Sequence, residues 1–116
     1  MKTICVVRDL YRVLEKFENN FQETYALSIN EAMVLCALGE EGTPMIPTVL
    51  GTRMGIRTSH LSKLLRRLEE KQLVSRSLGQ EDRRQMFFSL TEEGKERLHQ
   101  LDLEQIEIPE LLRPLF

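Results

Sequence analysis

At 116 residues, 41% hydrophobic and 29% charged, the chain has the make-up of one ordinary soluble domain with length enough for a single core. No stretch approaches the roughly 18 apolar residues of a membrane span. The N-terminal run "MKTICVV" is too short for a signal peptide and leads straight into Arg8 and Asp9, so a cytoplasmic protein with no membrane partner is expected. The net charge of −2 is unevenly spread: residues 53–84 carry nine Lys/Arg against four acids, and both flanks are acidic. A basic centre of this kind is the footprint of a polyanion-binding surface, although a solvated Arg-rich face carries the same charge.

Residues 3–25 place Ile4, Val7, Leu10, Tyr11, Leu14, Phe17 and Phe21 at steps of three or four, which predicts a long amphipathic helix. Ser28 and Glu31 form a capping box ahead of a second helix, "INEAMVLCAL", stopping at Gly39. That helix is apolar nearly all round and is expected at the centre of the domain. Cys36 within it reads as a small core residue. Cys5, beside Arg8 and Asp9, is expected to be more open and bland, with a redox-sensing thiol as the sharper alternative. With no CxxC pair among two cysteines, a disulfide framework is not expected.

After the loop "EEGTP", "IPTVLGTRMG" predicts a short helix with Pro47 in its first turn and Gly55 as its stop. "RTSHLSKLLRRLEEKQL" follows, with Thr58 or Ser59 as N-cap and Leu61, Leu64, Leu65 and Leu68 on the core face. Three or four residues between these helices force a steep crossing, the geometry of a helix-turn-helix. "VSRSL" and "QMFFSL" flank the polar "GQEDRR" and predict a hairpin, with Met86, Phe88 and Leu90 on one face. Phe87 points the other way, and the sequence offers no account of it. Thr91 caps a further helix that has Glu92 and Glu93 in its first turn. Pro109 ends or kinks any helix through "LDLEQIEI", before the apolar tail "PELLRPLF". The expected fold is mainly α (α+β): one domain over residues 1–116, with a three-helix core and a hairpin wing.

Catalysis finds no footing. His60 and His99 have no partner at metal-ligand spacing, no phosphate-cradling glycine loop exists, and the paired glutamates read as exposed or capping acids. No enzyme, metal or cofactor is expected. The second helix of the helix-turn-helix offers more. Thr58, Ser59, His60, Ser62 and Lys63 are short or polar, opposite the leucines, and suit base edges and phosphates in a major groove. Arg57, Arg66 and Arg67 extend this basic face. An ordinary exposed helix face would carry similar residues. The hairpin tip holds Arg83 and Arg84 beside that helix, where an adjacent minor groove would lie. Asp82 is expected to pair with Arg84 and orient its guanidinium.

These residues resemble the MarR family of winged helix-turn-helix transcription regulators. "MGIRTSHLSKLLRRLEEKQLVSR" is similar to that family's helix-turn-helix pattern. "DRRQMFFSLTEEG" is similar to its wing signature of Asp, one residue, Arg, five residues, Leu-Thr, two residues, Gly. The resemblance runs from about residue 5 to 101. It implies a DNA-binding core over 28–91 with its wing at 74–90, and dimerisation elements at 3–27 and 92–116. It places Ser59, His60, Ser62 and Lys63 on the DNA-reading helix and makes Asp82 and Arg84 the wing pair. It further implies a homodimer on palindromic double-stranded DNA, with a repressor as the expected form, and release by a small aromatic ligand or by thiol oxidation. Ile4, Val7, Tyr11 and Leu14, with Leu111, Leu112, Leu115 and Phe116, exceed what one small core covers and are the expected dimer face. Gln72 stands where the family usually has Gly, and the C-terminal part is shorter than the family's two long helices. A winged-helix module that binds protein in place of DNA is the competing reading.

Overall fold

The computed structural model describes residues 2–101 and 109–115. The chain forms two compact units, one of residues 1–29 and 102–116, the other of residues 30–101.

In the first unit, α1 (Lys2–Tyr25) is a single 24-residue helix. Phe17, Phe21 and Tyr25, spaced four apart, are buried on one side, with ring centroids 6.4 and 4.8 Å apart in succession. The N-terminal half behaves differently: Ile4, Val7, Leu10, Tyr11 and Leu14 are exposed. The apolar stripe expected along the whole helix is thus covered only at its C-terminal end. Ala26 ends α1 in the left-handed region at φ 57°, its N–H donating to the Gln22 carbonyl at 2.9 Å. A short 3-10 helix, Glu110–Leu115, lies near the end of the chain. The side chains of Leu111, Leu112 and Leu115, all of Phe116, and the segment before Pro109 lie outside the described residues.

The second unit follows the expected order: α2 (Ile29–Glu41), α3 (Pro47–Met54), α4 (Thr58–Glu70), β1 (Val74–Leu78), β2 (Met86–Leu90) and α5 (Glu92–His99). It is mainly helical, with one two-stranded antiparallel sheet. α2 runs through Gly39 to Glu41, past the expected stop. The left-handed residue is Gly42 at φ 70°, and Gly39 is kept for packing, since a Cβ there would come within 2.5 Å of Leu98 Cδ2. Ala32, Val34, Leu35, Ala37 and Leu38 are buried, but Met33 and Cys36 are exposed, so the reading of Cys36 as a core residue is corrected. α3 opens on Pro47 and closes on Gly55 at φ 70°, with the Gly55 and Ile56 N–H groups donating to the Thr52 and Gly51 carbonyls.

α4 buries Leu61, Leu64, Leu65 and Leu68 almost completely. It begins one residue earlier than expected: Arg57 is the N-cap and makes no side-chain capping bond, and Thr58 is already helical. Its far end closes in the same way as α3. Gln72 is left-handed at φ 63°, its N–H donates to the Glu69 carbonyl, and the Leu73 N–H donates to the Leu68 carbonyl, both at 2.9 Å. The chain then enters the hairpin, where Val74 faces Leu90 and Leu78 faces Met86. A third piece of sheet, invisible in the sequence, is a single bridge in which Met45 and Phe88 exchange both backbone bonds, at 2.9 and 2.8 Å. Thr91 caps α5 as expected, its hydroxyl accepting from the Gly94 N–H at 2.9 Å.

Two substitutions test the turn after α4. A Cβ in the left-handed region costs about 1 kcal/mol relative to glycine, so Gln72→Gly is expected to stabilise the protein by about that amount in urea unfolding. A less stable variant would show that residue 72 is not strained. Gly94→Ala should destabilise by about 1–3 kcal/mol, because its Cβ would strike the Leu73 carbonyl oxygen.

Candidate nucleic-acid interface

The surface of α4 follows from its leucines. At about 100° per residue, the four buried leucines centre on one direction, and Ser59, Lys63 and Arg66 lie within about 50° of the opposite one. Thr58, His60, Ser62 and Arg67 flank them, and all of these residues, with Arg57 before the helix, are exposed. With no side-chain cap at Arg57, the first N–H groups of α4 remain available to an outside acceptor at the positive end of the helix dipole. The face therefore offers hydroxyls, an imidazole, cations and free N–H groups together.

The geometry divides the basic segment in a way that a charge count does not. Arg53 is tied to two acids at the end of α2, Nη1 to Glu41 at 2.7 Å and Nη2 to Glu40 at 3.2 Å. Arg76 Nε donates to Glu69 at 2.8 Å across the α4–β1 turn, which holds its guanidinium protonated more firmly than usual. Lys71 donates to both carboxylate oxygens of Glu31, at 3.0 and 3.2 Å. Among the described residues, Arg57, Lys63, Arg66, Arg67 and Arg83 carry no ion pair. These five cations are the ones able to exchange water and counterions for phosphate at no internal loss.

The wing tip is built around Asp82. Its Oδ1 accepts from the Arg84 backbone N–H at 3.0 Å and from Arg84 Nε at 3.1 Å, and Oδ2 accepts from Nη2 at 3.4 Å. The guanidinium bonds, then the backbone bond, hold the Asp82 carboxyl below the ordinary aspartate value. Arg84 is thus aimed by its own turn while its side chain stays 92% exposed, and Arg83 beside it is exposed and unpaired. Gly79 and Gln85 close the tip through a 2.9 Å backbone bond. Phe87 packs against this closure: a Cβ on Gly79 would stand 3.1 Å from its ring and would strike the Asp82 carbonyl oxygen.

The expected residues therefore fall on two surfaces of the second unit, the α4 face and the wing tip. Ile4, Val7, Tyr11 and Leu14 lie exposed on α1 in the first unit. Glu31, a capping residue by its sequence position, also holds Lys71. Its cation lies 40 residues further along the chain, so no local spacing marks the pair. Cys36 Sγ lies 3.7 Å from Glu40 Oε1, and its thiol is pushed up by partial desolvation and by the Glu40 carboxylate, against the opposing effect of Arg53. Cys5 is half-buried. Among the described residues, no helix is long and apolar enough to cross a membrane and no group could hold a metal ion.

The family model described as transcriptional regulator SarA/Rot matches residues 16–101. The HTH-type transcriptional regulator SarZ of Staphylococcus aureus is 34% identical over 83 residues, covering 72% of this chain and 55% of SarZ. YwaE of Bacillus subtilis, also an HTH-type transcriptional regulator, is 29% identical over 105 residues, covering 87% of this chain and 61% of YwaE. The chain thus spans less than two thirds of the length of these curated relatives. Among solved structures, a mutant MarR from E. coli complexed with operator DNA superposes with a TM-score of 0.70 at 22% identity, over 85% of this chain and 72% of MarR. At that identity the likeness establishes the fold: a winged helix-turn-helix of the MarR type.

The wing pair is open to direct titration. Because the folded Asp82 pKa is depressed, the pair holds above the ordinary value of 3.8 and is lost as pH falls through the lower folded value. Carbon NMR of the Asp82 carboxyl should show a midpoint below 3.8 in the parent, rising towards it in Arg84→Ala. Equal midpoints would show that Asp82 does not hold Arg84 in solution.

Proposed function

Because the chain belongs to the SarA/Rot family of transcriptional regulators, we propose that it is a cytoplasmic, sequence-specific DNA-binding regulator. It acts as a dimeric repressor, setting α4 in the major groove and the Arg83–Arg84 wing in the minor groove. The observation that carries this reading is the uncapped, polar face of α4, flanked by cations that no internal acid neutralises. Ser59, His60, Ser62 and Lys63 take the base-reading end, with Thr58 giving its hydroxyl to base or backbone. Arg57, Arg66 and Arg67 take phosphates, and Asp82 orients Arg84. The operator DNA in the MarR complex supports the same choice of partner.

The second copy is proposed to meet α1. Ile4 and Tyr11 are each 72% exposed, with Val7 between them and Leu14 one turn beyond on the same side of α1. Four large apolar side chains along three turns form a patch that water disfavours, and a two-fold partner covers it with its own copy. The tail residues Leu111, Leu112, Leu115 and Phe116 are proposed to add to that face. The small aromatic ligand is proposed for a cavity of about 510 Å³ within residues 30–101, floored by Leu38, Leu90 and Leu98 and rimmed by Lys95 and His99. Its size is that of an ordinary small-molecule site.

Two measurements test these assignments. Three phosphate-facing arginines per chain, with Lys63 and the wing arginines beside them, allow about six to ten phosphate contacts per dimer, so affinity for duplex DNA should fall about 10³–10⁵-fold between 50 and 200 mM salt. Absence of binding at low salt would leave the protein-binding module as the better reading. Val7→Asp with Leu14→Asp should convert a micromolar dimer to monomer in sedimentation, since each buried Leu or Val contributes roughly 1.5–3 kcal/mol. Both positions are exposed in the single chain, so the fold itself should survive. A monomeric parent would remove the dimer.

A further inference from the structure

A directional contact between Glu31 and Lys71 ties the far end of the DNA-reading helix to α2. Glu31, in the first turn of α2, is only 3% exposed, and both of its carboxylate oxygens accept from Lys71 Nζ. Lys71 is the C-cap of α4. Burying a carboxylate is costly, and a pair of this kind adds little net stability over an apolar pair of similar volume. What it supplies is direction. The packed leucine face of α4 sets its crossing on the neighbouring elements, and the charged pair adds a directional hold at its C-terminal end.

The geometry points to Glu31 as a positioning residue for DNA recognition, through Lys71, an inference that rests on the DNA-binding reading above. α4 has 13 residues and is therefore about 20 Å long. A tilt of about 10° at its tied end moves the Thr58–Lys63 end by about 3.5 Å, the spacing of one base pair. Short side chains such as Ser59 and Ser62 cannot follow such a shift, so base-edge contacts are lost. The long, flexible arginines on phosphates can follow it. Loss of the tie therefore removes sequence discrimination and leaves general DNA affinity in place.

The test uses the full chain, a duplex selected by the wild type from a random pool, and a scrambled duplex of the same composition. Glu31→Gln keeps the side-chain volume and an acceptor oxygen but not the charge. It should lower the preference for the selected duplex about tenfold and keep affinity for the scrambled duplex within about twofold. Lys71→Gln should lower the preference by the same factor, the double variant should be no worse than either, and Lys71→Arg should retain it. On the free protein, residual dipolar couplings of the α4 amides should depart from the wild-type orientation relative to α2 in Glu31→Gln. Unchanged couplings overturn the tie whatever the DNA shows. An equal loss on both duplexes with broadened thermal unfolding assigns Glu31 to stability alone and also overturns it. A wild type that binds no duplex removes the DNA-binding reading and leaves the couplings to decide the tie.

Discussion

The helix-turn-helix and wing of the second unit depend on the reversal at Gln72–Leu73. The Leu73 carbonyl accepts from the Thr91 N–H at 3.1 Å, and the Gln72 carbonyl accepts from the Thr91 hydroxyl at 2.7 Å. That hydroxyl in turn accepts from the Gly94 N–H, where a side chain would collide with Leu73. Thr91 and Gly94 thus bind the end of α4, the root of β1 and the start of α5 at one point. The Leu-Thr, two residues, Gly pattern of the wing signature has a physical cause here: threonine supplies a hydroxyl that is both donor and acceptor, and glycine leaves room for a carbonyl. A left-handed turn must deliver that carbonyl, and the chain keeps it with glutamine despite the strain.

Charge in the basic segment serves two purposes that a count merges. Of its nine cations, Arg53, Lys71, Arg76 and Arg84 are engaged with Glu40 and Glu41, Glu31, Glu69 and Asp82. Among the described residues the other five carry no ion pair, and together with the exposed Arg84 they face outward from α4, from its N-terminal flank and from the wing tip. The excess of positive charge read from the sequence is therefore real, but nearly half of its carriers have internal work.

The winged helix-turn-helix was legible because each of its parts carries a local signal. Pro47 and Gly55 bracket α3, the leucine period marks α4, and alternation marks the wing. Thr91 followed by two acids marks α5. What was not legible depends on partners distant in the chain. Met45 joins the sheet through one residue, too short for any periodicity. Cys36 and Met33 sit in an apolar run, yet only one side of α2 is covered, and apolar residues left outside are common. Arg57 takes the N-cap position of α4 without a capping bond, one residue ahead of the better capping side chains Thr58 and Ser59. The acids at 31 and 69 looked like ordinary helix polarity, because their cations lie 40 and 7 residues away.

Acidic residues inside the basic segment then have a common explanation. Exposed ion pairs contribute little to stability, with medians near 0–1 kcal/mol, and Asp82–Arg84 and Glu69–Arg76 are of this exposed kind. Their effect is on angle. A guanidinium held by a carboxylate has one preferred direction, whereas a free arginine spreads over many rotamers and loses that freedom on meeting DNA. Leucines hold the helices against one another, and acid–base pairs set where the outward groups point. The first contribution is large and undirected, the second small and directed. A surface proposed to meet a rigid lattice of phosphates needs both, and the acid at the wing tip follows from the second.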